Sequence, residues 1–522
     1  MLSKIKFLFQ QVNVRVQSLL NQTAMYRLVL YVLCGYVAVA FVYSLFDGLG
    51  LVPFTPLNLF ISLATFLFFS YISNRIFAKL YKAQVNVESV YITALILFCI
   101  ITPPASGTYI SFLSLAITAS FLASASKYIL AYGKRHIFNP VAIAVVITGF
   151  TLHESASWWI GRGDMMPFVL LGGVLITMKI RRMDMAFSFI ASALVTITIL
   201  SLIQGTDPIA MLASSFSDTA LLFFAFIMLT EPITTPPTKQ LRIAYGILVG
   251  VFFAPNFFAL GMFGTPEFAL VIGNIFSYAV SPKRKYILKL QEKIEVARDT
   301  FEYVFTSDSP VAYLPGQYME WTLSHPRSDT RGNRRYFTLA SSPTENSIRL
   351  GLRQYKKPSS YKRHLHTLQV GDEIVSAQCS GDFVLPTRST DKLVFIAGGI
   401  GITPFRSMIK YLVDTKDNRD VVLLYANREK VDVAYHTFFE EAKKTIALQT
   451  FYFYSEATNL PLEVNEREAL ISESIIKQIV PDYTERTFFI SGPNAMVADF
   501  KNLLKTIGIK SAKVKTDYFP GL

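Results

Sequence analysis

Three side chains near the end of a predicted strand could hold a planar cofactor that carries a diphosphate. They are Arg335, Phe337 and Thr338, in the stretch Arg-Arg-Tyr-Phe-Thr-Leu-Ala-Ser. A guanidinium suits a diphosphate, an aromatic ring stacks on a planar heterocycle, and a hydroxyl can hydrogen-bond a ring nitrogen. The same run also suits a plain strand, so its meaning depends on the motifs that follow.

A second feature, twenty residues later, could bind an anion. Ser359 and Ser360 follow Pro358 at the start of a predicted helix, and Lys362 lies in its first turn. The first backbone N–H groups of a helix are free to meet negative charge, and a lysine reinforces the site. The alternative is a capped surface helix with solvated charges.

Two further features lie at the ends of predicted buried strands. The first is a glycine-rich turn, and glycine lets the backbone approach a diphosphate at the start of a helix. Its residues are Gly398, Gly399, Gly401, Thr403 and Pro404. The second is a turn before the last helix, made by Ser491, Gly492 and Pro493, and an aromatic tail with Phe519 closes the chain.

These five motifs, in this order, resemble the ferredoxin–NADP reductase superfamily over about residues 290–522. The resemblance implies FAD on a barrel and NAD(P)H on a Rossmann-like domain. It implies that FAD meets Arg335, Phe337, Thr338, Ser359, Ser360 and Lys362, and that the nicotinamide nucleotide meets Gly398, Gly399, Gly401, Thr403, Pro404, Gly492 and Pro493.

The resemblance also implies which residues lie nearest the reacting rings. Thr338 would contact the flavin, and Ser491 stands where many relatives carry a cysteine beside the nicotinamide. Phe519 would cover the flavin until the nicotinamide displaces it. Arg428 could meet a 2′-phosphate and Glu429 a ribose hydroxyl, so the choice between NADH and NADPH stays open.

Two kinds of domain must position these residues. Residues 286–388 read as short strands with turns, which predicts a small antiparallel β-barrel that binds FAD. Residues 389–522 alternate strand and helix, which predicts a doubly wound α/β domain that binds NAD(P)H.

The composition points to a membrane protein. Of 522 residues, 52% are apolar and only 17% are charged, which excludes disorder, a fibrous protein and an ordinary cytosolic enzyme. The formal charge of +13 fits basic cytoplasmic loops and needs no nucleic acid. Three distant cysteines exclude a disulfide framework and a four-thiolate iron–sulfur cluster, and we predict no metal site.

Residues 27–285 are predicted to form a polytopic α-helical bundle after an amphipathic cytoplasmic lead-in, residues 1–26. We count about ten spans: 27–46, 56–74, 89–102, 109–126, 138–152, 167–178, 185–204, 219–230, 242–256 and 262–281. Basic loops place the N-terminus and the reductase half in the cytoplasm of a plasma (inner) membrane protein. Trp158 and Trp159 fall on the outer side, where an interfacial belt would lie.

Two proline-broken segments, 88–104 and 217–237, suggest an inverted repeat of five plus five spans with a central site. The motif Phe-x-x-x-Thr-Glu-Pro-x-Thr-Thr-Pro at 226–236 resembles the D subunit of Rnf complexes and the B subunit of the sodium-translocating NADH:quinone oxidoreductase. The resemblance implies a membrane flavin. Because the Ser-Gly-Ala-Thr attachment stretch is missing, we expect a non-covalent FMN or riboflavin near Asn139, Thr230 and Thr235.

The sequence therefore predicts a membrane-bound oxidoreductase that passes electrons from NAD(P)H through FAD into the bundle. The acceptor would be a quinone or a group across the membrane, with further electron-transport subunits as partners. An ion or solute transporter with a redox-sensing reductase domain is the alternative. Haem is disfavoured because His136 and His153 lie at span edges rather than at mid-helix.

Overall fold

The computed structural model divides the chain into two compact units, Met1–Arg284 and Lys285–Leu522. It describes residues 20, 23–46, 52–81, 87–132, 135–154, 156–161, 163–217, 220–254, 258–259, 262–281, 284–323, 325, 329, 333–456 and 461–519. Each unit has its own hydrophobic core, so each is described by itself.

The N-terminal unit is helical. Its helices are α1 (Met25–Ser44), α2 (Pro56–Leu80), α3 (Val87–Ile100), α4 (Tyr109–Ile129), α5 (Pro140–Leu152), α6 (Met166–Ile180), α7 (Met183–Gln204), α8 (Pro208–Ser217), α9 (Lys239–Phe253) and α10 (Pro266–Val280). Between α8 and α9, Leu221–Phe223 continues as a π-helix over Phe224–Met228. Each of the ten apolar segments predicted as spans therefore contains helix.

Length separates these helices into two groups. Five of those described are long and apolar enough to cross a membrane: α1, α2, α4, α6 with the turn before it, and α7. A sixth crossing is possible if α8 and Leu221–Met228, bent by 63°, act together. The others are shorter than the roughly 20 residues that a plain crossing needs, so length alone gives fewer crossings than the expected ten.

The first broken helix, α3, ends against the loop before α6. The backbone carbonyl of Ile100 accepts hydrogen bonds from the N–H groups of Ser157 and Trp158, at 2.8 and 2.9 Å. The carbonyl of Phe98 accepts one from the Trp159 indole at 2.7 Å. These two backbone carbonyls near the end of α3 thus have partners within the chain.

The expected interfacial belt at Trp158 and Trp159 is wrong. Both side chains are buried, at 6% and 5% exposure. The indole N–H of Trp158 donates to the buried carboxyl of Glu267 at 2.7 Å. A buried indole N–H needs a partner, and both rings find theirs inside the unit rather than at a lipid surface.

The C-terminal unit begins with a barrel of antiparallel strands: β1 (Lys285–Ala297), β2 (Thr300–Ser307), β3 (Tyr318–Thr322), β4 (Arg334–Thr338), β5 (Ile348–Arg353) and β6 (Glu373–Ser380). They pair in the order β4-β3-β6-β1-β2-β5. The chain just after β4 bonds back to β5, with Ala340 N–H donating to the Arg349 carbonyl at 2.9 Å. This bond draws the two ends of the sheet together. The short helix α11 (Ser360–His366) follows β5.

The nucleotide domain is a parallel sheet of β7 (Leu393–Gly398), β8 (Val421–Asn427), β9 (Leu448–Tyr454), β10 (Glu466–Arg467), β11 (Thr487–Pro493) and β12 (Val514–Phe519). The strand order is β10-β9-β8-β7-β11-β12. The helices are α12 (Thr403–Thr415), α13 (His436–Ala442), α14 (Glu473–Ile479) and α15 (Asn494–Thr506). Alternate residues of β7 face opposite layers: Phe395 packs with α12 and α13, and Ile396 with α14 and α15.

Candidate functional site

The glycine-rich turn lies at the carboxyl end of β7 and fits closely against the end of β11. A Cβ on Gly401 would lie 2.4 Å from the backbone oxygen of Ser491, and one on Gly398 would lie 2.3 Å from the sulfur of Met496. Gly399 has a positive φ of +52° and open space where its Cβ would be. The turn therefore requires glycine for packing on one side and leaves room for a ligand on the other.

The carboxyl ends of three neighbouring strands bring the predicted reactive residues together. Ala397 of β7 pairs with Ser491 of β11, and Ser491 pairs with Asp517 of β12. The hydroxyl of Thr338, at the end of β4, donates to the Asp517 carboxylate over 3.3 Å. Thr338 and Ser491, predicted from distant motifs, thus lie at one site with Asp517 between them.

Ser491 is fully buried, and its hydroxyl has no hydrogen-bond partner in the described part of the chain. An unsatisfied buried hydroxyl is costly, so it favours a polar ligand. Gly492 and Pro493 complete β11, and the backbone of Phe519 pairs with Pro493. The side chain of Phe519 lies outside the described residues, so its expected position over the flavin stays a prediction.

The predicted FAD residues gather around Tyr361, the second residue of α11. The Arg335 guanidinium lies 5.1 Å from the centre of the Tyr361 ring, and the Phe337 ring lies 5.8 Å from it. Burial raises the pKa of Tyr361. The Asp329 carboxylate accepts from Arg335 at 3.3 Å and from the Ser360 N–H at 3.0 Å. Arg335, Phe337 and Ser360 therefore form one cluster around an aromatic ring.

The remaining residues of the second motif have other partners. The Ser359 hydroxyl caps α11 by accepting from the Lys362 N–H at 3.3 Å. The Lys362 ammonium donates to the Arg353 carbonyl at 3.2 Å and lies 4.6 Å from the centre of the Tyr355 ring. The ammonium is thus turned toward β5, and the structure does not group it with Arg335.

The helix that Thr403 and Pro404 begin ties the nucleotide domain to the barrel. Arg406, buried in α12, donates to the Ala340 carbonyl at 2.9 Å and to both oxygens of Glu345. Burial opposes the charge of Arg406, but the hydrogen bonds and charge of Glu345 outweigh it and raise the pKa of the guanidinium. This contact holds the glycine-rich turn in a fixed position relative to Thr338.

Arg428 and Glu429, the candidates for coenzyme choice, behave differently. Glu429 accepts two hydrogen bonds from Arg298 at 2.7 and 3.1 Å. These hydrogen bonds lower the pKa of the Glu429 carboxyl. Arg428 is largely exposed and pairs with Glu456 at 3.4 Å. The Glu429 carboxylate is therefore bound by a barrel residue, whereas the Arg428 side chain is exposed at the carboxyl edge of the sheet.

In the N-terminal unit, the three predicted flavin contacts lie close to Glu231 in sequence or in space. The Asn139 amide donates to the Glu231 carboxylate at 2.9 Å, and Thr235 donates to the Glu231 backbone carbonyl at 3.0 Å. Thr230, the preceding residue, donates back to Phe226 at 2.8 Å. Because all three donate within the chain, they could meet a flavin only with their remaining polar groups.

Sequence reasoning did not single out Asp517, Tyr361, Asp329 or Arg406. Asp517 lies in the aromatic tail, whose alternation Val-Lys-Thr-Asp-Tyr-Phe is a strand signal. A sixth parallel strand beside β11 could have been inferred from that pattern. The other three depend on pairing between domains or on loop conformation, which the sequence pattern does not encode.

Comparison with known proteins agrees with this geometry. Residues 395–502 match the Oxidoreductase NAD-binding domain family. The chain is 29% identical over 257 residues to a flavohemoprotein of Candida albicans, which covers 46% of this chain and 61% of that protein. It is 27% identical over 237 residues to a glycine betaine monooxygenase reductase subunit of Chromohalobacter salexigens, with 43% and 62% covered.

Among solved structures, the flavohem-like FAD/NAD binding domain of nitric oxide dioxygenase from Vibrio cholerae O1 biovar El Tor matches at a TM-score of 0.40 and 18% identity. That match covers 45% of this chain and 98% of the solved one. The chain spans about three fifths of the length of the two curated relatives named above. Its C-terminal unit, Lys285–Leu522, therefore contains an oxidoreductase NAD-binding domain, and its sequence supports a similarity to ferredoxin–NADP reductase-like modules.

Proposed function

We propose that the chain is an integral membrane flavoprotein that oxidises cytoplasmic NAD(P)H and delivers the electrons through its helical unit to a quinone or an acceptor across the membrane. The observation that carries the proposal is the meeting of Thr338, Asp517 and Ser491 at the carboxyl edge of the nucleotide sheet. Ligands of open α/β sheets bind at this edge.

The residues at this edge fit FAD and a nicotinamide nucleotide. Open space at Gly399 leaves room for a diphosphate, and the buried Ser491 hydroxyl lacks a partner that a carboxamide could provide. Arg335 and Phe337 would hold the flavin nucleotide from the barrel side. Bound FAD would take a hydride from NAD(P)H and release the electrons one at a time.

The chain's own residues would orient the rings and carry the proton. Thr338 uses its hydroxyl hydrogen for Asp517, so its lone pairs are left to accept from a ring N–H. Asp517, only partly buried, would pass a proton between Thr338 and solvent. Arg406 holds the two domains so that donor and acceptor atoms can come within about 3–3.5 Å.

The membrane part of the proposal rests on different support. The long apolar helices of the N-terminal unit suit a bilayer. The resemblance of 226–236 to membrane subunits of electron-transport complexes favours a non-covalent FMN or riboflavin there. The competing transporter function is favoured by the polar cluster at Glu231, where the carboxylate also lies 3.4 Å from His136. Intramembrane acids often mark ion paths.

Flavin analysis of the purified full-length protein tests the proposal. We expect one FAD and one FMN or riboflavin per chain, both released by denaturation, and NAD(P)H oxidation coupled to quinone reduction in membranes. One FAD alone, with dye reduction but no quinone reduction, would favour the transporter. A protein that binds no FAD would overturn the proposal entirely.

A further inference from the structure

We propose that Glu456, beside Arg428, makes NADH the preferred coenzyme by accepting a hydrogen bond from the adenosine ribose and opposing a 2′-phosphate. This inference rests on the proposed function and deepens it, because it names the coenzyme. Glu456 follows β9, and sequence reasoning had considered only Arg428 and Glu429 after β8.

The strand order fixes the direction in which the coenzyme must lie. The glycine-rich turn after β7 is at the centre of the order β10-β9-β8-β7-β11-β12. The barrel meets the nucleotide domain after β8, where Arg298 binds Glu429, and at β12, where Thr338, the residue expected at the flavin ring, contacts Asp517. The nicotinamide must reach that side to meet the flavin. With the diphosphate at the turn, the adenosine therefore extends to the other side, over the ends of β8 and β9.

The backbone holds Arg428 and Glu456 side by side at this place. Pairing between β8 and β9 continues past both strands: the Ser455 N–H donates to the Asn427 carbonyl at 3.1 Å, and the Glu456 N–H donates to the Arg428 carbonyl at 3.0 Å. The side chains form an ion pair at 3.4 Å and are 53% and 72% exposed for Glu456 and Arg428. Both can therefore reach a nucleotide from solvent.

Glu429 does not compete for this role. Its carboxylate is bound by both terminal nitrogens of Arg298 on the barrel, at 2.7 and 3.1 Å. Releasing it would break a bidentate contact between the two domains. Glu456, by contrast, forms an ion pair with Arg428 within the nucleotide domain.

The two coenzymes differ in what this pair offers them. A ribose 2′-hydroxyl can donate to Glu456 and leave the ion pair in place. A 2′-phosphate would attract Arg428 but would bring its negative charge beside the Glu456 carboxylate, and like charges placed together are unfavourable. The arginine alone would favour NADPH, and the neighbouring glutamate reverses that preference.

The test uses the full-length protein with ferricyanide as acceptor and compares kcat/KM for NADH and NADPH. We expect the wild type to prefer NADH by at least about tenfold, because only NADPH brings a negative 2′-phosphate beside the Glu456 carboxylate. Glu456→Gln should reduce this preference roughly fivefold to tenfold, mainly by lowering KM for NADPH. Glu456→Arg should reduce it further.

Glu485→Gln is the matched control. Glu485 is also an exposed, ion-paired glutamate, bound to Lys392 at 3.0 Å, but it precedes β11 at the opposite edge of the sheet. Its loss should leave the coenzyme ratio unchanged. An NADPH preference in the wild type, or an unchanged ratio in Glu456→Gln, would overturn the inference.

A binding measurement separates this inference from the proposed function. AMP and 2′-AMP are titrated against wild type and Glu456→Gln, with no electron acceptor present. The inference is supported if the wild type binds AMP more tightly than 2′-AMP and if Glu456→Gln binds 2′-AMP more tightly than the wild type does. This result would stand even if neither coenzyme is oxidised. Absence of oxidation would count against the proposed function, and equal binding of both nucleotides by both proteins would count against Glu456.

Discussion

The hydroxyl of Thr338 donates to the carboxylate of Asp517 over 3.3 Å, although 179 positions separate the two residues. One ends a barrel strand and the other lies in the last strand of the nucleotide sheet. A hydroxyl that donates to a carboxylate keeps its own lone pairs for a third group. The contact therefore joins the two domains at the point where the cofactor rings would meet.

Loss of the Asp517 carboxylate should slow turnover without removing FAD. Asp517→Asn and Thr338→Val each break the path by which a proton can leave the site. We expect NADH-dependent dye reduction to fall by roughly a hundredfold, the typical contribution of a positioned acid or base. FAD content, read from absorbance, should match the wild type. Thr306→Val, which removes a hydroxyl on β2, should change neither, and full activity in Asp517→Asn would exclude a role for this residue.

The reductase half was predictable because its signals are local. The turn at Gly398–Thr403 follows a fully apolar strand and opens an amphipathic helix, so strand, turn and helix were each visible in a short window. Asp517 was not predicted as a site residue, since its partner Thr338 is brought to it by packing between domains. Glu456 escaped notice for the same reason: only the pairing of β8 with β9 places it beside Arg428.

The N-terminal unit was less predictable, as Trp158 shows. A tryptophan pair between apolar runs is typical of an interface. The structure buries Trp158 instead and gives its indole N–H to Glu267, which is 109 residues away. A pattern of apolar and basic residues can rank segments by hydrophobicity. It cannot show that a loop folds back to satisfy the end of α3.

Removal of the Arg335 guanidinium should weaken FAD binding. Arg335→Ala would delete the proposed charge-assisted contact to the diphosphate, which is worth about 1.5–3 kcal/mol, or roughly tenfold to hundredfold in affinity. Equilibrium titration of the apoprotein with FAD measures the change. Arg334→Ala is the control, because the adjacent Arg334 pairs with Glu320 at 3.5 Å. Equal FAD affinity in both variants would reject the assignment of Arg335.

Replacement of Arg406 should loosen the two domains of the reductase half. Arg406→Met removes the bonds to Ala340 and leaves Glu345 buried with fewer partners. Breaking a buried ion pair costs about 3 kcal/mol or more of unfolding free energy. Reduction of bound FAD by NADH should slow, while reduction by dithionite should not. Arg406→Lys should recover part of both losses.

The comparison for Arg406 is a surface arginine. Arg467→Met removes a guanidinium that donates to the Gln478 side chain at 3.3 Å on an exposed face. Its unfolding free energy should change by no more than about 0.5 kcal/mol. If Arg406→Met is equally mild and NADH reduces FAD at the normal rate, the domains are positioned by other contacts.

Under the proposed function, the side of the membrane on which the reductase would lie depends on whether the bent segment crosses. With the N-terminus in the cytoplasm, five crossings place Lys285 outside, whereas six or ten place it inside. Under the proposed function the five long helices are therefore insufficient, and either α8 with Leu221–Met228 or an odd number of the short helices would also have to cross. NAD(P)H is available only in the cytoplasm, so the proposed function requires an even number.

Cysteine labelling with a membrane-impermeant maleimide tests this parity in a Cys34→Ser background. The other two cysteines, Cys99 and Cys379, are buried. Asp207→Cys, in the exposed turn after α7, should be labelled in intact cells. Lys79→Cys, near the end of α2, and a cysteine added after Leu522 should be labelled only after permeabilisation. If the added C-terminal cysteine is labelled in intact cells together with Asp207→Cys, the bundle crosses an odd number of times, and the reductase cannot draw on cytoplasmic NAD(P)H.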